Sequence, residues 1–475
     1  MNAEHAEWIV TGTVITCDAE RRVLTDGAVA VAGGRVAAVG TREDVLASWT
    51  APADRWLGGA RSTVMPGMID GHSHAAQALV RSLIAGELPM IHRLYLPAED
   101  VMSLDDVGVS ARLLMAQHLR CGVTTFAETT ATPSHEEAIV AAIDEVGMRC
   151  AMARGRGDQQ AHHAANYSQV QDRSWVRRRD GEAEADLART AAFLDRHDPS
   201  GSGRIKGCVL ASHLTGFSRR YFELASELAR DRAATLQVHV GRDREEVELS
   251  LAVFGRRPVE VLAEWGVLSD RLLAIHAILV SVGEIGLLAE AGASVAHSPA
   301  ECLNILNGVP PVAQMRARGI AVALGCDNAI NDLWAVMRMA AGAHGALYGI
   351  AGYDAELLPA DHLLDMATIE GATALGWADR IGSLEVGKHA DVVVVDGSGA
   401  HMVPVQHPVA DLVRYGSRAE VRDVLVGGRL VLSGGRHTTV DIERLTAEAD
   451  DAAARIAAAI TPRRYRPLAP RIRLS

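Results

Sequence analysis

The middle of the chain alternates short apolar runs with stretches in which apolar positions recur at helical spacing. Repeated strand and helix patterns of this kind predict parallel strands joined by crossover helices. Helical spacing is clear at Glu136–Val146, Arg219–Arg232, Pro258–Trp265 and Val282–Ala291. We predict strands at Thr63–Met65, Thr124–Glu128, Arg149–Ala153, Ile205–Ser212, Leu236–Val240, Leu272–His276, Ser294–His297 and Ala321–Asp327.

Eight strands with helical crossovers indicate the α/β class, either as a closed (β/α)8 barrel of the TIM type or as an open doubly wound sheet. The placement of polar residues favours the barrel. Histidines and acids follow the carboxyl ends of strands throughout the middle of the chain. In a barrel these ends share one mouth, so such residues can meet there.

Both ends of the chain have a different pattern, with short β-rich runs and paired glycines. Gly33-Gly34 and Gly427-Gly428 each separate two such runs, as in hairpins. We predict a small β-sandwich domain formed by both chain termini. The predicted organisation is 1–62 and 381–440 for the two parts of the sandwich, 63–380 for the barrel, and 441–475 for a C-terminal helix and an Arg/Pro-rich tail.

Composition narrows the class of partner. Asp and Glu outnumber Lys and Arg by 59 to 47 in 475 residues, which disfavours binding to nucleic acids or anionic membranes. The six cysteines include no CxxC pair, so neither a zinc ribbon nor a disulfide framework is indicated. No signal peptide or apolar stretch of transmembrane length is visible. We expect a cytoplasmic, soluble protein whose partner is a small-molecule substrate.

Histidines and one acid lie where predicted strands end. His72 and His74 follow the first strand, and alternate residues of a strand face the same way. His239 and His276 lie at the ends of the fifth and sixth strands, and Asp327 ends the eighth. Imidazoles and a carboxylate that meet at one mouth are typical of a divalent metal site.

Longer motifs carry a family resemblance. PGMIDGHSH resembles the PGxxDxHxH signature of the amidohydrolase superfamily. The segments CGVTTFAETT, VPPVAQMRARGIAVALGCDN and IGSLEVGKHADVVVVD are similar, in the same order, to the branch that holds cytosine-, guanine- and adenosine-type deaminases and the s-triazine hydrolases. The resemblance extends over residues 8–432.

The resemblance implies a barrel with a β-sandwich flank and one divalent metal ion per subunit. By position, His72, His74, His239 and Asp327 would bind the metal, and His276 would hydrogen-bond the attacking water or the substrate. Relatives with two metals bridge them with a lysine on the fourth strand. Lys206 lies near the start of that strand, so we predict a single metal. Zinc is the first choice, and iron, cobalt or manganese suit the same ligand types. Relatives also imply a homodimer or a higher homo-oligomer.

The predicted chemistry follows from the metal. A bound divalent cation lowers the pKa of water from about 16 towards 7. Asp327 can accept the proton and His276 can stabilise charge that develops on the attacked centre. We predict a hydrolase of carbon–nitrogen bonds, most simply an aminohydrolase of an N-heterocyclic or amidine-like molecule. Removal of chloride, a thiolate, a carbamate or an amide is the alternative, and a non-catalytic barrel scaffold is an alternative of another class.

The sequence departs from the branch in one place that bears on catalysis. Deaminases of the branch carry HxxE at the fifth strand, whereas this chain has His239-Val240-Gly241-Arg242. Arginine cannot donate a proton near pH 7. Arg242 could bind a substrate anion, the leaving group could need little acid help, or Arg242 could simply pair with Glu245 or Glu246. Another acid could also substitute, and the candidates are Asp243, Glu245, Glu128 and Glu301.

A second departure concerns the substrate pocket. HSPAECLNILNG replaces the branch's HxPxSNLxLxSG, which favours a substrate other than an ordinary nucleobase. We interpret His118 as a helix residue without a functional role. The predicted substrate-binding residues, chosen for their positions near strand ends and in the loop after the first strand, are Gln77, Arg81, His92, Glu128, His213, Arg242, Glu301 and Asn328.

Overall fold

A computed structural model describes most of the chain. The described residues are 3–83, 94–130, 133–155, 157–158, 182–197, 203–214, 216–305, 307–328, 330–354 and 357–460. His92, which we predict to bind substrate, and the tail from residue 461 onward lie outside the described residues.

The strands are numbered in chain order. They are β1 (Glu4–His5), β2 (Trp8–Ile15), β3 (Val23–Ala32), β4 (Arg35–Thr41), β5 (Trp49–Thr50), β6 (Trp56–Pro66), β7 (Met68–Ser73), β8 (Val123–Thr130), β9 (Arg149–Arg154), β10 (Ile205–Leu210), β11 (Leu236–Val240), β12 (Leu272–His276), β13 (Ser294–His297), β14 (Val322–Leu324), β15 (Val392–Asp396), β16 (Val421–Val426), β17 (Arg429–Ser433) and β18 (Arg436–His437).

The α-helices are numbered in the same way. They are α1 (Arg42–Ser48), α2 (Leu96–Glu99), α3 (Leu104–Arg120), α4 (Glu136–Val146), α5 (Glu182–Arg196), α6 (Arg219–Asp231), α7 (Arg244–Phe254), α8 (Pro258–Glu264), α9 (Val282–Glu290), α10 (Pro299–Asn304), α11 (Val312–Arg316), α12 (Leu333–His344), α13 (Ile350–Gly352), α14 (Ala360–Met366), α15 (Ile369–Ala374), α16 (Pro408–Tyr415) and α17 (Ile442–Ile460).

The strands β7 to β14 form the predicted barrel. They lie side by side in chain order in one eight-stranded sheet, and each pairs with its neighbours in parallel. A bridge between Ser73 and Asp327 joins the first strand to the segment after the last one and closes the ring. The carboxyl ends of the strands therefore meet at one mouth.

The predicted position of the first barrel strand is wrong. Thr63–Met65 belongs to β6, where these residues pair antiparallel with Val393–Val395 of the terminal sheet. The chain changes sheets at Pro66-Gly67, since proline ends the ladder and a side chain at Gly67 would collide with Thr124. The two sheets are thus continuous in sequence.

Side chains from barrel strands fill the interior with small and branched residues. Ile69, Ala127, Ala151, Ile275 and Ala323 belong to one buried cluster that spans strands from β7 to β14. Small interior side chains suit the low aromatic content of the sequence, 4%. The interior is therefore a packed core, and only the mouth is available for chemistry.

The chain termini build the second predicted unit. Its eight strands lie in the order β18-β17-β16-β15-β6-β2-β3-β4, so the first and last parts of the chain share one sheet, and β1 and β5 form a further small sheet. The predicted α/β class, with a (β/α)8 barrel and a β-domain from both termini, is confirmed. None of the described helices is both long and apolar enough to cross a membrane.

Candidate metal centre

The barrel brings together the five side chains that we predict at the metal. His72 lies in β7 and His74 just after it, His239 and His276 lie in β11 and β12, and Asp327 follows β14. The Nε2 atoms of His72 and His276 lie 3.6 and 3.8 Å from Asp327 Oδ2. The Nε2 atom of His74 lies 3.6 Å from Asp327 Oδ1.

These separations suit ligands of one ion. Two ligand atoms about 2.1 Å from a tetrahedral centre are about 3.4 Å apart. One ligand atom from each of His72, His74 and His239 falls within a group 4.8 Å across, and so does one from each of His72, His276 and Asp327. Imidazole nitrogens with a carboxylate oxygen form a donor set for a divalent transition metal.

A chain of hydrogen bonds from His72 through Thr129 to Gln237, here called the relay, determines which ring nitrogen of His72 carries the proton. Gln237 Nε2 donates to Ala151 O at 3.5 Å, so Gln237 Oε1 faces the Thr129 hydroxyl, which donates to it at 2.8 Å. Thr129 Oγ1 must then accept from Nδ1–H of His72, which lies 3.1 Å away. The Nε2 atom of His72 is left unprotonated, as a metal ligand requires.

The ring of His239 is oriented in the same way. Its Nδ1 donates to the backbone carbonyl of Ser212 at 3.0 Å and lies 3.2 Å from the Ser212 hydroxyl. Its Nε2 therefore carries the lone pair. Partners of this kind fix the tautomer and the direction of a metal-binding imidazole.

Burial keeps the imidazoles neutral. It lowers the pKa of His74 to about 4 and the pKa of His239 to about 3. It also lowers the pKa of His72 and of His276 well below the usual value, with neighbouring histidines adding to the effect. Neutral rings have the lone pairs that a metal needs.

Burial shifts the pKa of Asp327 in the opposite direction. Burial, followed by the negative charges of Glu301 and Asp70, raises the pKa of Asp327 well above its usual value. A buried anion among other carboxylates is unfavourable without a compensating cation. In addition, His72 Nε2 is buried and has no hydrogen-bond partner among the described residues. Both observations fit a cation at this point.

The backbone is strained at two of these residues. His276 has φ of +73° and Asp327 has φ of +56°, which place two non-glycine residues in the left-handed region. Each such residue costs about 1–3 kcal/mol, and such outliers cluster at functional sites. Asp327 is held in this conformation by its backbone N–H, which donates to His72 O at 2.8 Å. The strain supports the functional role predicted for both residues.

Lys206 is bound to the end of a helix and does not act as a bridge between metals. Its Nζ donates to the carbonyls of Leu375 and Gly376, both at 2.6 Å, at the end of α15. These contacts stabilise the C-terminus of a helix. The position supports our prediction of a single metal.

Several predicted substrate residues form a network beside Asp327. Gln77 Nε2 donates to Glu99 at 2.6 Å, and the side-chain amides of Gln77 and Asn328 are 2.5 Å apart. The other end of the Asn328 amide lies 3.2 Å from Asp327 Oδ1 and 3.3 Å from Glu301 Oε1. The structure therefore brings Gln77, Asn328 and Glu301 to the metal ligands.

Three other predicted residues have local partners. Glu128 is buried and accepts the backbone N–H of Ala75 at 2.6 Å, close in sequence to His74. The half-buried His213 accepts from the backbone of Gly216 at 3.1 Å. Arg81 is exposed and donates to Gln117 of α3.

Arg242 takes a partner other than Glu245 and Glu246, the two residues named in one of the alternatives above. Its Nε and a terminal nitrogen lie 2.7 and 2.6 Å from Asp243 Oδ2. Glu246 instead accepts the backbone N–H of Arg242 at 2.8 Å. The positive charge of Arg242 lowers the pKa of His239, His276 and Asp327, so it acts on the predicted ligands.

Sequence reasoning missed two buried residues. His118 lies in helix α3, as predicted, and it is fully buried with its Nε2 2.6 Å from Asp70 Oδ2. Its position on the apolar face of α3 is a signal that could have identified it. Tyr95 is buried, and burial with Glu301 and Asp327 raises its pKa. No sequence signal marks Tyr95.

Comparisons with known proteins identify the family. A model of the amidohydrolase family matches residues 63–431, and a bacterial imidazolonepropionase-like composite domain matches residues 27–50. The chain is 34% identical to a 5-methylthioadenosine/S-adenosylhomocysteine deaminase of Nitratidesulfovibrio vulgaris over 93% of this chain and 96% of that protein.

Solved structures agree with this assignment. A zinc-bound adenosine deaminase from Xanthomonas campestris is similar with a TM-score of 0.84 and 28% identity, over 96% of this chain and 100% of that one. Atrazine chlorohydrolase from Arthrobacter aurescens shares the fold, with a TM-score of 0.80 and 24% identity over 94% of this chain and 99% of that one.

The comparisons confirm the predicted superfamily and its hydrolase chemistry on carbon–nitrogen bonds. The match covers the whole barrel and strands β15 and β16 of the terminal sheet. The chain therefore belongs to the amidohydrolase family.

Proposed function

We propose that this protein is a zinc-dependent aminohydrolase, which replaces the exocyclic amino group of an N-heterocycle by oxygen. The observation that carries the proposal is the cluster of neutral imidazoles around Asp327, with a buried, unpartnered nitrogen on His72. His72, His74, His239 and Asp327 would hold the ion. When bound, a divalent cation supplies the Lewis acidity that makes water a nucleophile at neutral pH.

The side chains around this point have distinct roles in the proposal. The two carboxylate oxygens of Asp327 face different histidines, so one can serve as a ligand while the other accepts a proton from the attacking water. The Nε2 atom of His276 lies beside the same carboxylate, within reach of the attacked carbon. There it can stabilise the charge that develops during attack.

The substrate class that we propose is a 6-aminopurine nucleoside. It is supported by relatives named as 5-methylthioadenosine/S-adenosylhomocysteine deaminases and by the adenosine deaminase of similar structure. Gln77, Asn328 and Glu301 lie at one side of the ligand cluster, where they can contact the purine. Arg81, His92, Glu128, His213 and Arg242 remain proposed substrate residues.

The proposal keeps the cellular setting predicted from composition. It describes a soluble cytoplasmic enzyme that acts on a small molecule and assembles as a homodimer or a higher homo-oligomer. The excess of acidic residues supports the absence of nucleic-acid partners.

One observation favours a second candidate, the removal of a leaving group other than an amine. Arg242 is paired with Asp243 and offers no proton to a departing amine. Chloride or a thiolate leaves without one. A 6-chloropurine nucleoside therefore represents the competing reaction.

The test is ammonia release by the zinc-loaded protein with adenosine, 5′-methylthioadenosine and S-adenosylhomocysteine. We expect turnover of at least one of them, together with about one zinc per chain, and loss of both zinc and turnover in His72→Ala. Hydrolysis of only the chloro nucleoside would favour the second candidate. A wild-type protein that binds no zinc would contradict both and favour a scaffold.

A further inference from the structure

Deamination of an N-heterocycle needs a group that carries protons. As the oxygen of water bonds to carbon, the ring nitrogen gains one proton, and as the carbon–nitrogen bond breaks, the amino group gains another and leaves as ammonia. Both protons come from the attacking water, so the overall reaction balances without another reagent. Asp327 can accept a proton from water, but a second group is needed at the leaving nitrogen.

Most acids at this part of the mouth have other partners. Glu128 accepts the Ala75 backbone N–H. Asp243 holds the Arg242 guanidinium through one oxygen and accepts the Glu246 N–H at the start of α7 through the other. These bonds hold both carboxylates in fixed directions, which suits them less to proton transfer at a leaving group.

Glu301 has a different position from these acids, with Asn304 of the same helix as a hydrogen-bond partner. It lies in α10, directly after barrel strand β13, and its side chain is buried. Its Oε1 is joined to Asp327 Oδ1 through the Asn328 amide, which lies 3.3 Å from one oxygen and 3.2 Å from the other. Glu301 is therefore two hydrogen-bond lengths from a predicted metal ligand.

Electrostatics support the same assignment. Burial raises the pKa of Glu301 towards neutral pH, and a hydrogen bond with Asn304 opposes this shift only in part. One end of the Asn328 amide lies within 3.3 Å of Tyr95 OH, Glu301 Oε1 and Asp327 Oδ1, and the charge of Glu301 raises the pKa of Asp327 and of Tyr95. A proton-transfer group is most effective when its pKa is close to the working pH.

We propose that Glu301 is the catalytic residue that passes protons to the ring nitrogen and the leaving amine. The assignment rests on the proposed aminohydrolase function and names the acid for it. Neutral Glu301 gives its proton to the ring nitrogen, regains one from the oxygen that came from water and gives it to the leaving amine. The proton that Asp327 first took from water then returns to Glu301, so both carboxyl groups end each cycle as they began. Arg242 is not needed as a proton donor in this scheme.

The experiment compares leaving groups in Glu301→Gln. With whichever aminopurine nucleoside the wild type deaminates, we expect kcat to fall by about 10² to 10⁴. With the 6-chloro analogue, whose ring nitrogen still gains a proton but whose chloride needs none, we expect a loss at least about tenfold smaller. Glu301→Asp, which keeps the carboxyl, should recover part of the lost rate with the amine.

Zinc content and binding of the same nucleoside by calorimetry separate catalysis from structure. Both should stay within threefold of the wild type in Glu301→Gln. The matched control is Glu223→Gln, at a half-buried acid of α6 that pairs with Arg219, which should retain its deamination rate.

Three results would overturn the role of Glu301 while leaving the proposed function intact. They are an unchanged rate of Glu301→Gln on the amine, equal losses on the amine and the chloride, and an equal loss in the control Glu223→Gln. A wild type that releases no ammonia from any of the nucleosides would instead overturn the proposed function.

Discussion

The carboxylate of Asp70 lies 2.6 Å from Nε2 of His118, and both side chains are fully buried. The other oxygen of Asp70 accepts the backbone N–H groups of His72 at 3.2 Å and of Cys326 at 2.8 Å. His72 is a predicted metal ligand in the first barrel strand, and Cys326 directly precedes the predicted ligand Asp327 after the last one. Asp70 thus ties the two edges of the closed ring together at the metal, and His118 holds Asp70 in place.

We expect His118→Leu to destabilise the barrel and weaken zinc binding. The substitution leaves the buried Asp70 carboxylate without its partner, and breaking a buried pair in this way costs about 3–5 kcal/mol. Thermal unfolding should show a lower midpoint, and competition with a chelator should show lower zinc affinity. The matched control is His401→Leu, whose ion pair with Glu420 is partly exposed and should contribute less than about 1 kcal/mol. Equal effects of the two substitutions would contradict this account.

The relay behind His72 gives a second prediction. Thr129→Val removes the hydroxyl that accepts from His72 Nδ1, while the shape of the side chain is kept. The ring then loses the partner that fixes its tautomer, and zinc affinity should fall about 10- to 100-fold. The measurement is a zinc titration against a chelator of known affinity.

Strand β8 provides a matched control for that substitution. Thr125 is buried on the same strand, and its hydroxyl has no hydrogen-bond partner among the described residues. Thr125→Val should leave zinc affinity unchanged and preserve or slightly raise stability, because an unsatisfied polar atom is removed. Similar zinc affinities in the two variants would show that the relay has no effect on the metal.

Sequence patterns were sufficient for the barrel because its strands carry continuous apolar runs with a polar residue at the carboxyl end. The pattern failed at the first strand. Val64-Met65 and Met68-Ile69 are both apolar and nearly contiguous, and nothing local shows that a turn at Pro66-Gly67 sends them into different sheets. The choice depends on pairing with Val393–Val395, more than 300 residues away.

For the site, the sequence predicts which residues meet but not how their side chains pair. The motif around His72 and the strand-end positions of His239 and Asp327 mark the cluster, because each residue carries a local signal. The contacts between side chains have no such local sequence signal. The Asp243 partner of Arg242 and the amide of Asn328 between Glu301 and Asp327 depend on rotamers that only the folded barrel fixes.

The buried carboxyl of Glu246 predicts a pH dependence of stability. Burial raises its pKa from 4.5 to about 7, so the folded state binds this proton more tightly than the unfolded state does. The stabilisation is complete below about pH 4.5 and is lost as pH rises to about 7, an effect on the order of 3 kcal/mol. In Glu246→Gln the fall in unfolding free energy over this range should be smaller by that amount. A parallel pH dependence in both proteins would contradict the assignment.

Arg242 gives the last prediction, which concerns substrate charge. Its guanidinium is held by Asp243, is 12% exposed, and acts electrostatically on His239 and His276, so it lies where a substrate anion could bind. A charge-assisted hydrogen bond contributes about 1.5–3 kcal/mol. Arg242→Ala should therefore raise KM for S-adenosylhomocysteine, which carries a carboxylate, by about 10- to 100-fold and change kcat much less. KM for the neutral 5′-methylthioadenosine should not change, and Arg244→Ala, at an exposed position, should alter neither value. An unchanged KM for the carboxylate substrate would refute the role, and equal increases for both nucleosides would assign Arg242 to the shape of the pocket instead.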